Sequence, residues 1–213
     1  MLGAATGITM CAQTLDRIVT DPSDSGRCLL DLVYEGPLEQ TPWRGFLKNL
    51  RAVTNATCAN LQLHCAHTIE AENRVFATHA DTLVDWQAFQ DLYGRKYAEF
   101  DPMPLCRLRP GAIATIEDYR GSLFHRDLLM PLQITHVVRT CFAEPGGMKC
   151  SLELIGHAPL GPFDAHRDIT VLRELLSHLE RALQLYARMT RARRETSMYQ
   201  GALGRLAYIR GFE

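Results

Sequence analysis

The sequence predicts an α+β domain: an antiparallel sheet of about five strands with helices packed on it, followed by a long C-terminal helix. Three observations predict it. The run "THVVRTCFAEPGGMKCSLELIGHA" (135–158) holds two β-rich stretches around Glu144-Pro145-Gly146-Gly147, a hairpin turn cluster. A second strand pair, "CANLQLHCA" (58–66) and "RVFATHA" (74–80), is divided by the charged turn "EAEN". Within residues 160–195, Ile169, Leu172, Leu175, Leu176, Leu179, Ala182, Leu183, Tyr186 and Met189 recur at the three-four spacing of a long helix.

The elements follow in chain order. Residues 1–26 read as a polar leader ending in "TDPSDSG", a loop and helix entry. Residues 27–39 open with a helical pattern of Leu29, Leu30, Leu32 and Val33. Residues 41–56 form a clearer helix, with Thr41 at the N-cap, Pro42 in the first turn, and Trp43, Phe46, Leu47, Leu50 and Val53 on one face. Strand 58–66 alternates: Ala59, Leu61, Leu63 and Cys65 on one side, Asn60, Gln62 and His64 on the other, the signature of a half-buried strand. Residues 84–100 carry five aromatics, Trp86, Phe89, Tyr93, Tyr97 and Phe100, along one helical face. That helix stops at Asp101-Pro102, because proline disfavours the helical region for the residue before it. Residues 108–119 read as a loop leading to a short strand, and 120–134 as a helix interrupted at Pro131. The domain then spans 27–195, and 196–213 is a weakly patterned tail.

The bulk composition narrows the function. A chain of 213 residues suits one domain and needs no staples to hold its core. With 23 Lys plus Arg against 24 Asp plus Glu it lacks the basic excess that nucleic acid demands. The cysteine count is seven, odd and irregularly spaced, which fits reduced thiols and a cytoplasmic setting. The opening "MLGAATGITMCAQ" has no basic stretch before an apolar one, so no signal peptide is read. No apolar run reaches the roughly 18 residues a membrane span requires.

Chemistry-bearing clusters are sparse. Cys58, His64, Cys65, His67 and His79 do not converge, since neighbours on a strand face opposite sides, and a metal needs three or four ligands together. No metal and no cofactor is predicted. His125-Arg126-Asp127 resembles a kinase loop, but Leu132 stands where its Asn belongs and no glycine-rich phosphate loop is present. No catalytic residue is assigned. Arg188, Arg191, Arg193 and Arg194 read as cations favoured near a helix C-terminus. The aromatic stripe has two readings: core packing, or a wall that stacks on and hydrogen-bonds an apolar-bodied ligand. Asp101 is likewise a turn-former or an amide acceptor.

Two segments resemble the N-terminal sensory regions of LuxR-type helix-turn-helix transcription regulators. "PFDAHRDITVLRELLSHLERALQLYARM" (162–189) is similar to the helix closing those domains, and "LLDLVYEGPLEQTPWRGFLKNLRAVTNATCANLQLH" (29–64) to their opening. With the segment between them the likeness covers about 30–190, as many weak matches, and the element order is that of GAF and PAS sensor modules. In the autoinducer-binding members a Trp, a Tyr and an Asp-Pro hold the ligand. The matching positions here are Trp86, Tyr93 or Tyr97, and Asp101-Pro102. Two departures stand out: the Trp-to-Asp spacing is longer, and no Tyr stands four residues before Trp86.

The resemblance implies a small-molecule-sensing domain that is not an enzyme. Its ligand is an unidentified small organic molecule, held by Trp86, Phe89, Tyr93, Tyr97 and Asp101 between sheet and helices. Helix length separately predicts a homodimer joined along Leu172, Leu176, Leu179, Leu183 and Tyr186, because a helix of about 25 residues, some 38 Å long, outruns a small sheet and a twin copy is the economical partner for its far end. DNA would be reached only through a helix-turn-helix module, for which 196–213 leaves no room. Two alternatives stay open: a thiol-dependent enzyme on a GAF-like fold, with Cys58, Cys106 or Cys141 reactive, or a ligand-free dimerisation module.

Overall fold

The computed structural model describes residues 28–65, 74–80, 91–103, 108–157 and 165–210. In chain order the elements are α1 (Leu29–Glu35), α2 (Arg44–Thr54), β1 (Cys58–Cys65), β2 (Arg74–Ala80), β3 (Ile113–Thr115), β4 (Ile134–Ala143), β5 (Met148–His157) and α3 (Ala165–Arg210). The strands form one antiparallel sheet in the order β2-β1-β5-β4-β3. The expected α+β class, five-stranded sheet and long closing helix are all present. The leader 1–26 and the first half of the aromatic stripe, with Trp86 and Phe89, lie outside the described residues.

The entrance to the fold is built around Trp43. The sequence places a helix start at Thr41, whereas α2 begins at Arg44. Trp43 takes a left-handed conformation, φ 58°, and its indole N–H donates to the Val33 carbonyl at 3.0 Å. That aims the ring at Gly36, where a Cβ would meet indole atoms, so glycine there permits the close approach. The Thr41 cap is replaced by a longer side chain: Glu39 Oε2 accepts the Gly45 N–H at 3.0 Å. Phe46, Leu47 and Leu50 then bury one face of α2, and Asn55, left-handed at φ 51°, ends it.

The sheet has two covered faces. On one, Ala59, Leu61, Val138, Phe142, Cys150, Leu152 and Leu154 pack against α1, α2 and the Leu172, Leu175, Leu179 and Leu183 row of α3. Each such leucine, fully buried, contributes roughly 1.5–3 kcal/mol over an exposed one. On the other, Cys58, Val137 and Ile155 pack under a layer of short turns. That layer comprises Tyr93–Tyr97 and His125–Leu129, each a single π-helical turn, and the 3₁₀ turns Ala98–Phe100 and Ile116–Tyr119. It brings Tyr97, Tyr119, Phe124, Leu128 and Leu129 to the sheet. The covering layer overturns the half-buried reading of β1: Asn60, on its polar side, is fully buried.

One further boundary differs from expectation, while the hairpin turn falls on Glu144–Gly147 as expected. The long helix runs to Arg210, through the segment read as a tail, so the arginines at 188–194 lie mid-helix and not at its C-terminus. The β4–β5 hairpin turns over Glu144, whose backbone pairs with Met148 and Gly147. Its carboxylate accepts the Gly146 N–H at 2.8 Å, the Met148 N–H at 3.1 Å and Arg191 Nη2 at 2.8 Å, so the hairpin tip is pinned to the middle of α3. A Cβ on Gly146 would collide with that guanidinium. Among the described residues no helix is long and apolar enough to cross a membrane.

Candidate ligand pocket

Register places opposite charges side by side under the turn layer. In the β4–β5 ladder Arg139 stands opposite Glu153. Arg139 donates to Glu153 Oε1 from Nε at 3.0 Å and from Nη2 at 2.6 Å. Its Nη1 donates to Asp101 Oδ2 at 2.8 Å and to the Met103 carbonyl at 2.7 Å. All three charged side chains are at most 8% exposed. A lone buried guanidinium would be prohibitively costly. Burial works against its charge, but Glu153 and Asp101 outweigh it and hold Arg139 firmly protonated.

Asp101 joins the turn layer to this pair and fills both roles read from the sequence. Its Oδ1 accepts the Met103 N–H at 2.8 Å, shaping the turn after the aromatic stripe. Its Oδ2 accepts the Tyr93 hydroxyl at 2.8 Å as well as Arg139. Burial, followed by the Asp101 charge, pushes the Tyr93 phenol up, so it stays a donor.

Above this cluster lies a pocket lined by Gln62, Tyr93, Tyr119, Phe124, Leu129, Val137, Arg139, Glu153 and Ile155. The empty space among these side chains, open mouth included, is about 340 Å³. Only about one water's worth of it is deep and wide enough to hold a molecule's centre. Its aromatic wall is continuous: Tyr93 meets Phe124 edge-on at 5.9 Å between ring centres, and Tyr119 meets Phe124 at 5.7 Å. Tyr119 is 1% exposed, and its hydroxyl has no hydrogen-bond partner. Burial pushes that phenol up, so it keeps its proton.

The sequence-predicted site residues fall in several places. Tyr93 lines the pocket and Asp101 anchors it from behind. Tyr97 is buried in the supporting core, its hydroxyl donating to the Asp127 carbonyl at 3.3 Å. Trp86 and Phe89 lie outside the described residues. The pocket sits between the sheet and the turn layer, on the face of the sheet away from α3. Arg139, Glu153, Tyr119 and Gln62 were not anticipated. A signal for two of them existed: Arg139 and Glu153 lie equidistant from Gly146, so a hairpin folded at that turn must pair them.

The residues expected at a dimer seam are engaged within the chain. Leu172, Leu179 and Leu183 are fully buried in its own core. Leu176 and Tyr186 are half-buried against that core, Tyr186 beside Trp43 at 5.4 Å between ring centres. These side chains face their own sheet because a helix lying on a sheet must bury its apolar stripe there. The thiols raised as reactive candidates are also accounted for. Cys58 and Cys141 are buried, and burial pushes both thiols up, away from the thiolate that chemistry would need. Cys106 lies outside the described residues. Among the described residues no three His, Cys, Asp or Glu side chains converge as a metal site would need.

Neither a family model nor a curated protein matches the sequence. The fold has counterparts among solved structures. SdiA of Escherichia coli is similar over 85% of this chain and 69% of its own, with a TM-score of 0.51 at 8% identity. CepR2 of Burkholderia cenocepacia, an N-acylhomoserine lactone dependent LuxR family transcription factor, is similar over 74% of this chain and 92% of its own, at 0.49 and 14%. The GAF3 domain of a Synechocystis protein follows over 77% and 98%, at 0.47 and 10%. At such identities the likeness is one of fold, and SdiA is the structure on which it rests.

Proposed function

We propose that this chain is the small-molecule-sensing domain of a LuxR-like transcription regulator, acting as a cytoplasmic homodimer and without catalysis. The observation that carries the reading is the buried Arg139–Asp101–Glu153 cluster beneath an aromatic-walled pocket in which the Tyr119 hydroxyl is left without a partner. Folding rarely leaves a buried polar atom unmatched, and an apolar-walled pocket with a few such polar groups is how small molecules are held. Two further things support the reading: the resemblance of 29–64 and 162–189 to such regulators, and the fold shared with SdiA. SdiA has been solved in complex with octanoyl-rac-glycerol, and we carry over only the idea that a sheet of this kind can hold a guest.

In this reading Tyr93 and Asp101, with Trp86 and Phe89 placed by sequence spacing alone, hold the ligand, and Tyr97 supports them from the core. The signal crosses the sheet. Arg139 and Glu153 face the pocket, while their neighbours Val138 and Leu154 pack toward α3 on the opposite face. A ligand that favours one arrangement of the pocket therefore biases how α3 is seated, which is a population shift. DNA is contacted through a helix-turn-helix module on a longer or partner chain. Thermal-shift screening of the purified chain against a panel of small organic molecules tests the reading. A genuine ligand raises the melting temperature, and the rise disappears in Tyr93→Ala, which opens the pocket, and in Gln62→Trp, which fills it. Stabilisation that persists in both places the ligand elsewhere.

A further inference from the structure

We propose that the pocket accepts an organic cation: a primary ammonium on a compact apolar or aromatic body. The inference rests on the reading that this pocket holds a ligand and adds the chemistry of that ligand. One guanidinium stands against two carboxylates, so the cluster carries a formal charge of −1. Arg139 is not open to an anion, because its Nε, Nη1 and Nη2 are already engaged by Glu153, Asp101 and the Met103 carbonyl. Both of its bonds to Glu153 fall on Oε1, leaving Oε2 without a hydrogen bond among the described residues. The Tyr119 hydroxyl, fully buried, also lacks one.

These groups converge from three sides: Glu153 on β5, Tyr119 on the 3₁₀ turn after β3, and Gln62 on β1. Together they offer a carboxylate oxygen, a phenol oxygen and an amide oxygen to one donor head. An ammonium has three N–H donors, no acceptor and about the size of the one water that the depth of the pocket admits. Tyr93, Tyr119 and Phe124 line the site, and Tyr119 already holds the Arg139 guanidinium over its ring at 5.9 Å; an aromatic lining of this kind attracts a cation and repels an anion. The apolar body stays in the open mouth of the pocket, since the depth beside Leu129, Val137 and Ile155 holds no more than the ammonium head.

The test uses three probes with one body: 2-phenylethylammonium, 2-phenylethanol and phenylacetate, titrated calorimetrically into the full chain at neutral pH. The ammonium is expected to bind at least about tenfold more tightly than the alcohol, and phenylacetate not to bind. Phenylacetate binding as tightly as the ammonium overturns the proposal. Alcohol and ammonium binding equally overturns it too but leaves the sensing pocket standing; no binding by any probe counts against both. Glu153→Gln is expected to erase the preference for the cation. Should that variant fail to fold, Tyr119→Phe keeps the question open to decision, since it breaks no hydrogen bond of the unliganded chain. It is expected to fold and to weaken ammonium binding several-fold, and unchanged affinity overturns the site.

Discussion

Arg139 answers to two carboxylates at once, so a single substitution there exposes how the pocket floor is held. Arg139→Met leaves Asp101 and Glu153 buried and uncompensated, and the expected cost is about 3–5 kcal/mol in urea unfolding. A cost below about 1 kcal/mol would mean that water already reaches the cluster. Tyr119→Phe should move stability the other way. Its hydroxyl is buried without a partner, and removing such a group returns part of a desolvation penalty of about 1–3 kcal/mol. Opposite signs at two residues 5.9 Å apart, guanidinium to ring centre, are the mark of a site shaped for something other than its own stability.

Among the elements, the β4–β5 hairpin carries a pH dependence that can be worked out. Burial raises the Glu144 carboxyl, but the Gly146 and Met148 N–H groups and Arg191 outweigh it and hold it below its ordinary 4.5. A depressed folded value means the contribution is fully present above 4.5 and is lost as pH falls through the folded value. Between about pH 5 and about pH 3 the unaltered chain should therefore lose more stability than Glu144→Gln, the two converging in acid. Parallel melting curves across that range would refute it. This hairpin was legible because its turn chemistry is local. The pocket was only half legible: Tyr93 and Asp101 stood out by spacing, but periodicity reports which side of a strand is polar and not what covers it. Asn60 and Gln62 looked solvent-facing because the layer over them comes from distant sequence. The stretch 196–210 was passed over for a local reason. Tyr199, Leu203, Leu206 and Ile209 do recur there at three-four spacing, but Gly201 and Gly204 interrupt the run and weaken it as a helix signal.

For the whole molecule, the question is what the far half of α3 does. Residues 191–200 are all exposed, Met198 at 75% and Tyr199 at 71%, while the core leucines upstream are already covered by their own sheet. The twofold contact we propose therefore belongs to this projecting part. In sedimentation velocity the unaltered chain should run as a dimer and the Met198→Glu, Tyr199→Glu double variant as a monomer. Its melting temperature should change little, since surface substitutions cost within about 0.5 kcal/mol. A double variant that still dimerises refutes the assignment. The clasp between Glu144 and Arg191 gives that projection a fulcrum. From Arg191 to Arg210 the helix is about 28 Å long, so each degree of tilt at the clasp swings its end by about 0.5 Å. The arm is thus a mechanical amplifier: a rearrangement too slight to notice beside Tyr119 could arrive at its tip as a displacement on the scale of a bond.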